Sequence, residues 1–282
     1  MGKVVSDQAD GLRRLMAHSP ARLVAIVGSS AAVGATSVAL NLAAALAQSG
    51  KDVLLLDEQS GLQSVSAIWK IAAAGTWSDV ATQRMRLEAA AGFSACGVQV
   101  LSAGPAMSKT IENVHAMFQG RLVLIDAALD SEGALSPLAS QADEILVVLQ
   151  PQAASITAAY VCVKRLQYAH GLQQLRTLIN CAASAAEAQR VLTNLSNTGN
   201  RYLALALSPV GCVMADPRLP RAQQLNLSVV EAFQTSPSAI DFRRIAAELL
   251  QWPWRSPAGR LPVPIQATAT GKRQSDRLPE PS

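Results

Sequence analysis

The sequence predicts an α/β fold, a mostly parallel sheet with helices on both of its faces. Two observations predict it. Short runs of Val, Leu and Ile that are apolar at every position, not at alternate ones, recur along the chain, as in strands buried on both faces. Stretches of helical period separate them, which is the alternation that builds a parallel sheet. Composition agrees. Half of the 282 residues are hydrophobic but only 4% are aromatic, so the core is aliphatic and large enough for one full α/β domain.

The elements follow in order. Residues 23–27 form the first apolar run, and a small-residue loop leads into a helix over about 36–48, with Gly50 where a C-cap glycine belongs. Residues 53–56 form a second strand ending at Asp57. Further strands are expected at 98–101, 122–125, 145–149, 175–179 and 203–207. Helices are expected at about 109–118, 153–170 and 185–197. A closing helix over 239–250 places Ile240, Ile245, Ala246 and Leu249 on one face. Residues 21–254 make up this domain. Residues 1–20 hold a short helix candidate, about 7–17, and a linker, and the proline-rich residues 255–282 read as a disordered tail.

Composition excludes several classes. The net charge of +4 is dispersed, without the basic face that specific nucleic-acid binders gather. Cys96, Cys162, Cys181 and Cys212 lie far apart with no C-x-x-C pair, which reads as reduced thiols in a reducing compartment rather than a zinc or disulfide framework. The first residues are polar, and no apolar run approaches the ~20 residues of a membrane span. The expected location is the cytoplasm. His18, His115 and His170 are isolated and read as surface residues, and Trp69, Trp77, Trp252 and Trp254 as packing or docking residues.

Chemistry concentrates after the first strand. The run Gly28-Ser-Ser-Ala-Ala-Val-Gly-Ala-Thr-Ser37 occupies the place of a phosphate-binding loop. Gly34 and Thr36 fit G-x-x-x-x-G-K-[ST], while Ser29 replaces its first glycine and Ala35 its lysine. On this pattern alone the loop is half present.

With its surroundings, the segment resembles the deviant phosphate loop of the MinD/ParA family, a P-loop NTPase group of the SIMIBI type. Val33-Gly34 and Thr36-Ser37 match K-G-G-V-G-K-T-[TS]. Asn41 and the strand ending at Asp57 then follow at the family's spacing. Leu122-Val-Leu-Ile-Asp126 matches the Walker B strand, Ala142-Asp-Glu144 precedes the next strand, and Asn180 matches the asparagine that contacts adenine. The resemblance spans about residues 22–250. It implies a nucleotide site of Gly34, Thr36, Ser37, Asp57, Asp126 and Asn180, with Thr36, Asp57 and Asp126 on the magnesium side.

Three departures bear on activity. Ser30 replaces the signature lysine that reaches the partner's nucleotide, Ala35 the lysine on the β/γ-phosphates, and Gln59 the second acid of D-x-D. Phosphoryl transfer is nearly all positioning and charge stabilisation, and a trans-acting cation is worth about 10³–10⁵ in rate. The resemblance with these losses implies no ATP hydrolysis, and ATP/Mg binding that is weak or absent, because charge-assisted bonds of about 1.5–3 kcal/mol are gone. Ala31 and Ala32, in place of loop glycines, add β-carbons that crowd the phosphates.

The opening segment resembles the D-Q-A-x-x-L-R element of the FlhG family, MinD-like regulators of flagellar number and placement: Asp7, Gln8, Ala9, Leu12 and Arg13 all match. The resemblance implies docking on FlhF, a GTPase of the signal-recognition-particle type, with Gln8 presented to its site, Leu12 as apolar anchor and Arg13 pairing with acids. Read without it, the segment is an ordinary helix with Asp7 on its positive end. Other partners in view are a flagellar switch protein or a flagellar transcription activator. No basic amphipathic helix closes the chain to anchor it on a membrane, so any recruitment to the pole or membrane would go through a partner, and the protein is expected to be monomeric. Two alternatives stay open: an active MinD/ParA-type ATPase in spatial positioning, and a ParA-like DNA partition factor.

Overall fold

The computed structural model describes residues 21–104 and 114–253. They form an eight-stranded sheet in the order β3-β4-β2-β5-β1-β6-β7-β8. The strands are β1 (Arg22–Gly28), β2 (Val53–Asp57), β3 (Gly92–Phe93), β4 (Gln99–Ser102), β5 (Leu122–Ala127), β6 (Glu144–Leu149), β7 (Gln174–Ala182) and β8 (Ala206–Met214). All pairings are parallel except β3 with β4. Main helices are α1 (Ala35–Gln48), α2 (Ala153–His170), α3 (Ala185–Leu203), α4 (Arg218–Gln224), α5 (Val229–Ala232) and α6 (Pro237–Leu249).

The continuous apolar runs are explained by two cores, one on each face. Leu23, Ala25, Val27, Val123 and Ile125 pack on one side with Val163 and Leu166 of α2 and Leu192 of α3. Val24, Ile26, Leu122, Leu124 and Leu146 pack on the other with α1 and with Phe242 and Ile245 of α6. Every residue from Val38 to Leu46 of α1 is buried between the sheet and α6, and the alanines among them allow that close approach. Asn41 is the polar exception. Its Nδ2 donates to the Ser37 carbonyl and its Oδ1 accepts from Val229 N–H, tying α1 to α5. Helix starts follow local chemistry: Ser184 caps α3, Ser228 and Glu231 form a capping box on α5, and Ser236 caps α6 ahead of Pro237.

Several expectations are corrected. The strand expected at 203–207 begins at Ala206, because α3 runs on to Leu203. Gly199 permits this, since a β-carbon there would lie 2.8 Å from the Leu207 side chain. Ile240 is exposed, and Phe242 takes the buried position on α6. His115 is no surface residue. It is partly buried and pairs with Asp143 at 2.9 Å, and Asp143 also accepts from Leu23 N–H. His170 accepts from Leu135 N–H. Trp69, Trp77 and Trp252 are all buried packing residues. Trp252 stacks on the Arg176 guanidinium at 3.8 Å, and Arg176 makes a buried ion pair with Glu144 at 3.0 Å. All four cysteines are free thiols. No described helix is long and apolar enough to cross a membrane. The helix candidate at 7–17 lies outside the described residues, as do Trp254, the tail and the first half of the expected 109–118 helix, of which Val114–Met117 is helical.

Candidate nucleotide site and its carboxylate cluster

Strand β1 has β5 on one side and β6 on the other, so the chain reverses its direction of travel across the sheet at β1. A crevice opens beyond the carboxyl ends of the strands at such a point. The loop 29–34 crosses it and feeds into α1.

The loop is held from three sides. Ser29 N–H donates to the Val148 carbonyl at 2.9 Å, Gln150 Nε2 reaches the Ala32 carbonyl at 3.4 Å, and Asn180 Nδ2 donates to the Val33 carbonyl at 2.9 Å. Gly34 is left-handed at φ 86°, and a β-carbon there would lie 2.3 Å from Asn180 Nδ2. Both its dihedral and its neighbour require glycine. Ala32 is also left-handed, at φ 61°, where alanine is strained and glycine is at ease. Ser30 and Ala31 are exposed at the loop tip. Asn180 is buried and thus doubles as a clamp on the loop, and its Oδ1 has no hydrogen-bond partner among the described residues.

Opposite the loop stand the acids. Asp57 and Asp126 are register partners on β2 and β5, both essentially inaccessible to solvent. Asp57 accepts from the N–H groups of Gln59 and Ser66 and from the Ser66 hydroxyl. Burial outweighs those bonds and raises its pKa. Neither oxygen of Asp126 has a well-formed hydrogen bond. Burial pushes its carboxyl up to about 7; the nearby Thr36 hydroxyl lowers it somewhat, and the Asp57 and Glu58 charges raise it further. Glu58 is a third member, which sequence reasoning passed over. It accepts from Ala128 N–H at 3.0 Å and from the Ser136 hydroxyl at 2.5 Å, and burial raises it too. Within the D-x-D stretch it occupies the middle position, which alternation along a strand assigns to the other face. The strand ends at Asp57, so that alternation no longer applies. Gln59 donates its side-chain amide to the Ala127 carbonyl at 3.1 Å.

The arrangement divides by chemistry. The acid side suits a divalent cation: two orphaned, buried carboxylate oxygens and a neighbouring threonine are what a hard ion requires. On the phosphate side, the first N–H groups of α1 face outward from the helix start, as phosphate sites need. The loop itself, residues 29–37, carries no cationic side chain, and Ala35 stands in the lysine position. No Lys, Arg or His among the described residues forms an ion pair with Asp57, Glu58 or Asp126.

No protein-family model matches this chain. The antiactivator FleN of Pseudomonas aeruginosa is 30% identical over 266 residues, covering 89% of this chain and 94% of FleN. The chain belongs to the FleN/FlhG family. The fold is that of the MinD/ParA P-loop NTPases. MinD in the Aquifex aeolicus MinC:MinD cell division complex superposes with a TM-score of 0.66 at 20% identity, over 83% of this chain and 98% of the other. MinD of Pyrococcus horikoshii complexed with Mg-ADP gives 0.61 at 18% identity, over 82% and 96%. Among its solved relatives in fold, therefore, one carries magnesium and nucleotide.

Proposed function

We propose that this FleN/FlhG-family protein regulates flagellar number and placement through protein–protein contacts, with ATP hydrolysis lost. The observation that carries this is the carboxylate cluster Asp57, Glu58 and Asp126, which faces a phosphate loop with no cation. In a working P-loop a lysine neutralises the β/γ-phosphates. Here Ala35 supplies no charge, so a triphosphate would enter against three acids with only backbone donors in its favour. A magnesium ion held by Thr36, Asp57 and Asp126 would have to bring all the positive charge itself. Thr36, Asp57 and Asp126 would hold such an ion, which would supply the positive charge that offsets the buried acids. Binding of ATP is accordingly weak and strictly magnesium-dependent. Gln59, tied to the Ala127 carbonyl and lacking a carboxylate, offers no base to orient water. Ser30 at the exposed loop tip has no charge to reach a second subunit, which supports a monomer.

Activity then resides in the contacts. The match of Asp7, Gln8, Ala9, Leu12 and Arg13 to the FlhG element supports an FlhF-type GTPase as partner. FleN is an antiactivator by name, which supports a transcription activator as a second partner on the folded domain. The test is turnover and equilibrium binding of Mg-ATP by the purified chain, expected to show no hydrolysis above background and no ATP-induced dimer. Turnover that Asp126→Ala abolishes would sink the proposal and leave an active MinD/ParA-type ATPase.

A further inference from the structure

Away from the nucleotide site, at the edge where the strands begin, the surface opens into a cavity of about 700 Å³. Its apolar lining includes Val80, Met85, Leu87 and Met117, and Arg84, Arg86 and Arg121 supply cations. Met117 is 40% exposed. Two of the three arginines are engaged: Arg84 pairs with Asp79 at 3.3 Å, and Arg121 with Asp52 at 3.2 Å and more distantly with Glu88. Arg86 is exposed and has no ion pair among the described residues. An amphipathic surface with one unspent cation suits an occupant that carries aliphatic groups and a carboxylate.

The chain itself delivers such an occupant to this place. Ala21, the first described residue, is buried in the same apolar cluster as Val80 and Leu87. Arg22 N–H donates to the Arg121 carbonyl at 3.1 Å, so the chain enters the fold against the cavity wall. The twenty residues before Ala21 include Leu12, Leu15 and Met16 together with Asp7 and Asp10. At ~1.5 Å per residue even a fully helical segment of that length covers roughly 30 Å, enough to reach any part of the lining. We infer that residues 1–20 dock back into this cavity, with Leu12 and Met16 on its apolar floor and an aspartate on Arg86. The docked segment hides Leu12, the anchor assigned above to the GTPase partner, so the protein holds its own activating element in check. This last step rests on the proposed function; the docking does not.

Trypsin reads the docking on the full chain, because Arg13 and Arg14 lie inside the segment and are protected when it is docked. Met117→Glu and Arg86→Asp, both at exposed positions, should each speed cleavage at Arg13/Arg14 by about tenfold, the factor expected when one ordinary buried contact is lost. Asp10→Arg combined with Arg86→Asp should restore protection, which a merely unfolded variant would not do. Equal cleavage of wild type and both single variants would overturn the inference. So would a change confined to Lys109, which would show that residues 105–113 cover the cavity instead. Adding an FlhF-type GTPase separates the two claims. Protection without any GTPase stimulation by Met117→Glu would remove the partner and keep the docking. Full stimulation by wild type with no protection would remove the docking and keep the partner.

Discussion

Replacing Asp126 by asparagine isolates the energetic consequence of the lost lysine. The Asp126 carboxyl is raised from 3.8 to about 7 by burial, with Asp57 and Glu58 adding repulsion. The sign follows from proton counting. Between those two values the folded chain keeps a proton that the unfolded chain has released, so this stabilising contribution is complete below about pH 4 and is lost as pH rises through about 7. At ~1.4 kcal/mol per unit, the interval corresponds to about 4 kcal/mol of stability lost by neutral pH. Asp57 and Glu58 shift in the same direction and steepen the loss. Asparagine removes the charge but leaves a buried amide with incomplete hydrogen bonding, a cost of about 1–3 kcal/mol at every pH. Asp126→Asn should therefore be more stable than wild type by roughly 1–3 kcal/mol at about pH 8, and less stable by a similar amount at about pH 3.5, where the contribution of the protonated carboxyl is complete. Urea unfolding at both pH values is the assay, with magnesium chloride added in parallel. Magnesium should stabilise wild type at the higher pH and leave the variant unchanged. A variant destabilised equally at both pH values would refute the reasoning, because it would show that Asp126 is held by bonds rather than stranded as a charge.

Further expectations follow from the loop, the core and the N-terminal segment. Ser30→Lys with Ala35→Lys should recover Mg-ATP affinity before turnover, measured by calorimetry and phosphate release, since Gln59 still lacks a carboxylate; efficient hydrolysis would show that Gln59 is misassigned. Ala32→Gly should raise the unfolding free energy by about 1 kcal/mol by relieving a left-handed alanine, and a loss of stability would mean that the φ of 61° is not a strain. Glu144→Gln should cost about 3–5 kcal/mol in urea melts because it strands the Arg176 charge under Trp252, and an effect under ~1 kcal/mol would show that the guanidinium reaches water. In GTPase assays with a peptide of residues 1–20, Leu12→Ala should weaken binding by about 1–3 kcal/mol. Gln8→Ala should keep binding but remove stimulation, and equal stimulation by both peptides would end the activator reading.

How much was legible in the sequence depended on whether a signal was local. The apolar runs at residues 53–56 and 122–125 placed β2 and β5, because a strand buried on both faces leaves a mark at every position. The strand end at Asp57 and the Walker B aspartate were readable for the same reason, and their juxtaposition across the sheet follows once both strands are parallel neighbours. Glu58 was not readable, since its burial depends on Ser136 and Ala128 closing over it from a loop seventy-odd residues away. The β8 boundary failed because α3 runs past the expected end at 197 to Leu203, where Gly199 packs against Leu207, a tertiary contact that leaves no local mark in the sequence. His115 failed likewise: its partner Asp143 sits 28 residues on, at no motif spacing.

The same distinction bears on what became of the nucleotide site. The charges that make phosphate chemistry possible have been replaced, yet the positions that shape the backbone persist: Gly34 at φ 86°, the Asn180 clamp on Val33, and the paired Asp57 and Asp126. If the crevice served only as a relic, the stranded carboxylates would be the easiest groups to neutralise, since burying them against one another destabilises the fold at neutral pH. Asn180 would be equally replaceable unless the loop conformation matters. On the proposed function, a site that keeps the loop and the acids without the lysines would respond to protons and magnesium rather than turn over nucleotide. The Asp126→Asn variant reads that response directly. Its loss of magnesium sensitivity would place what remains of the site's function in the cation side alone.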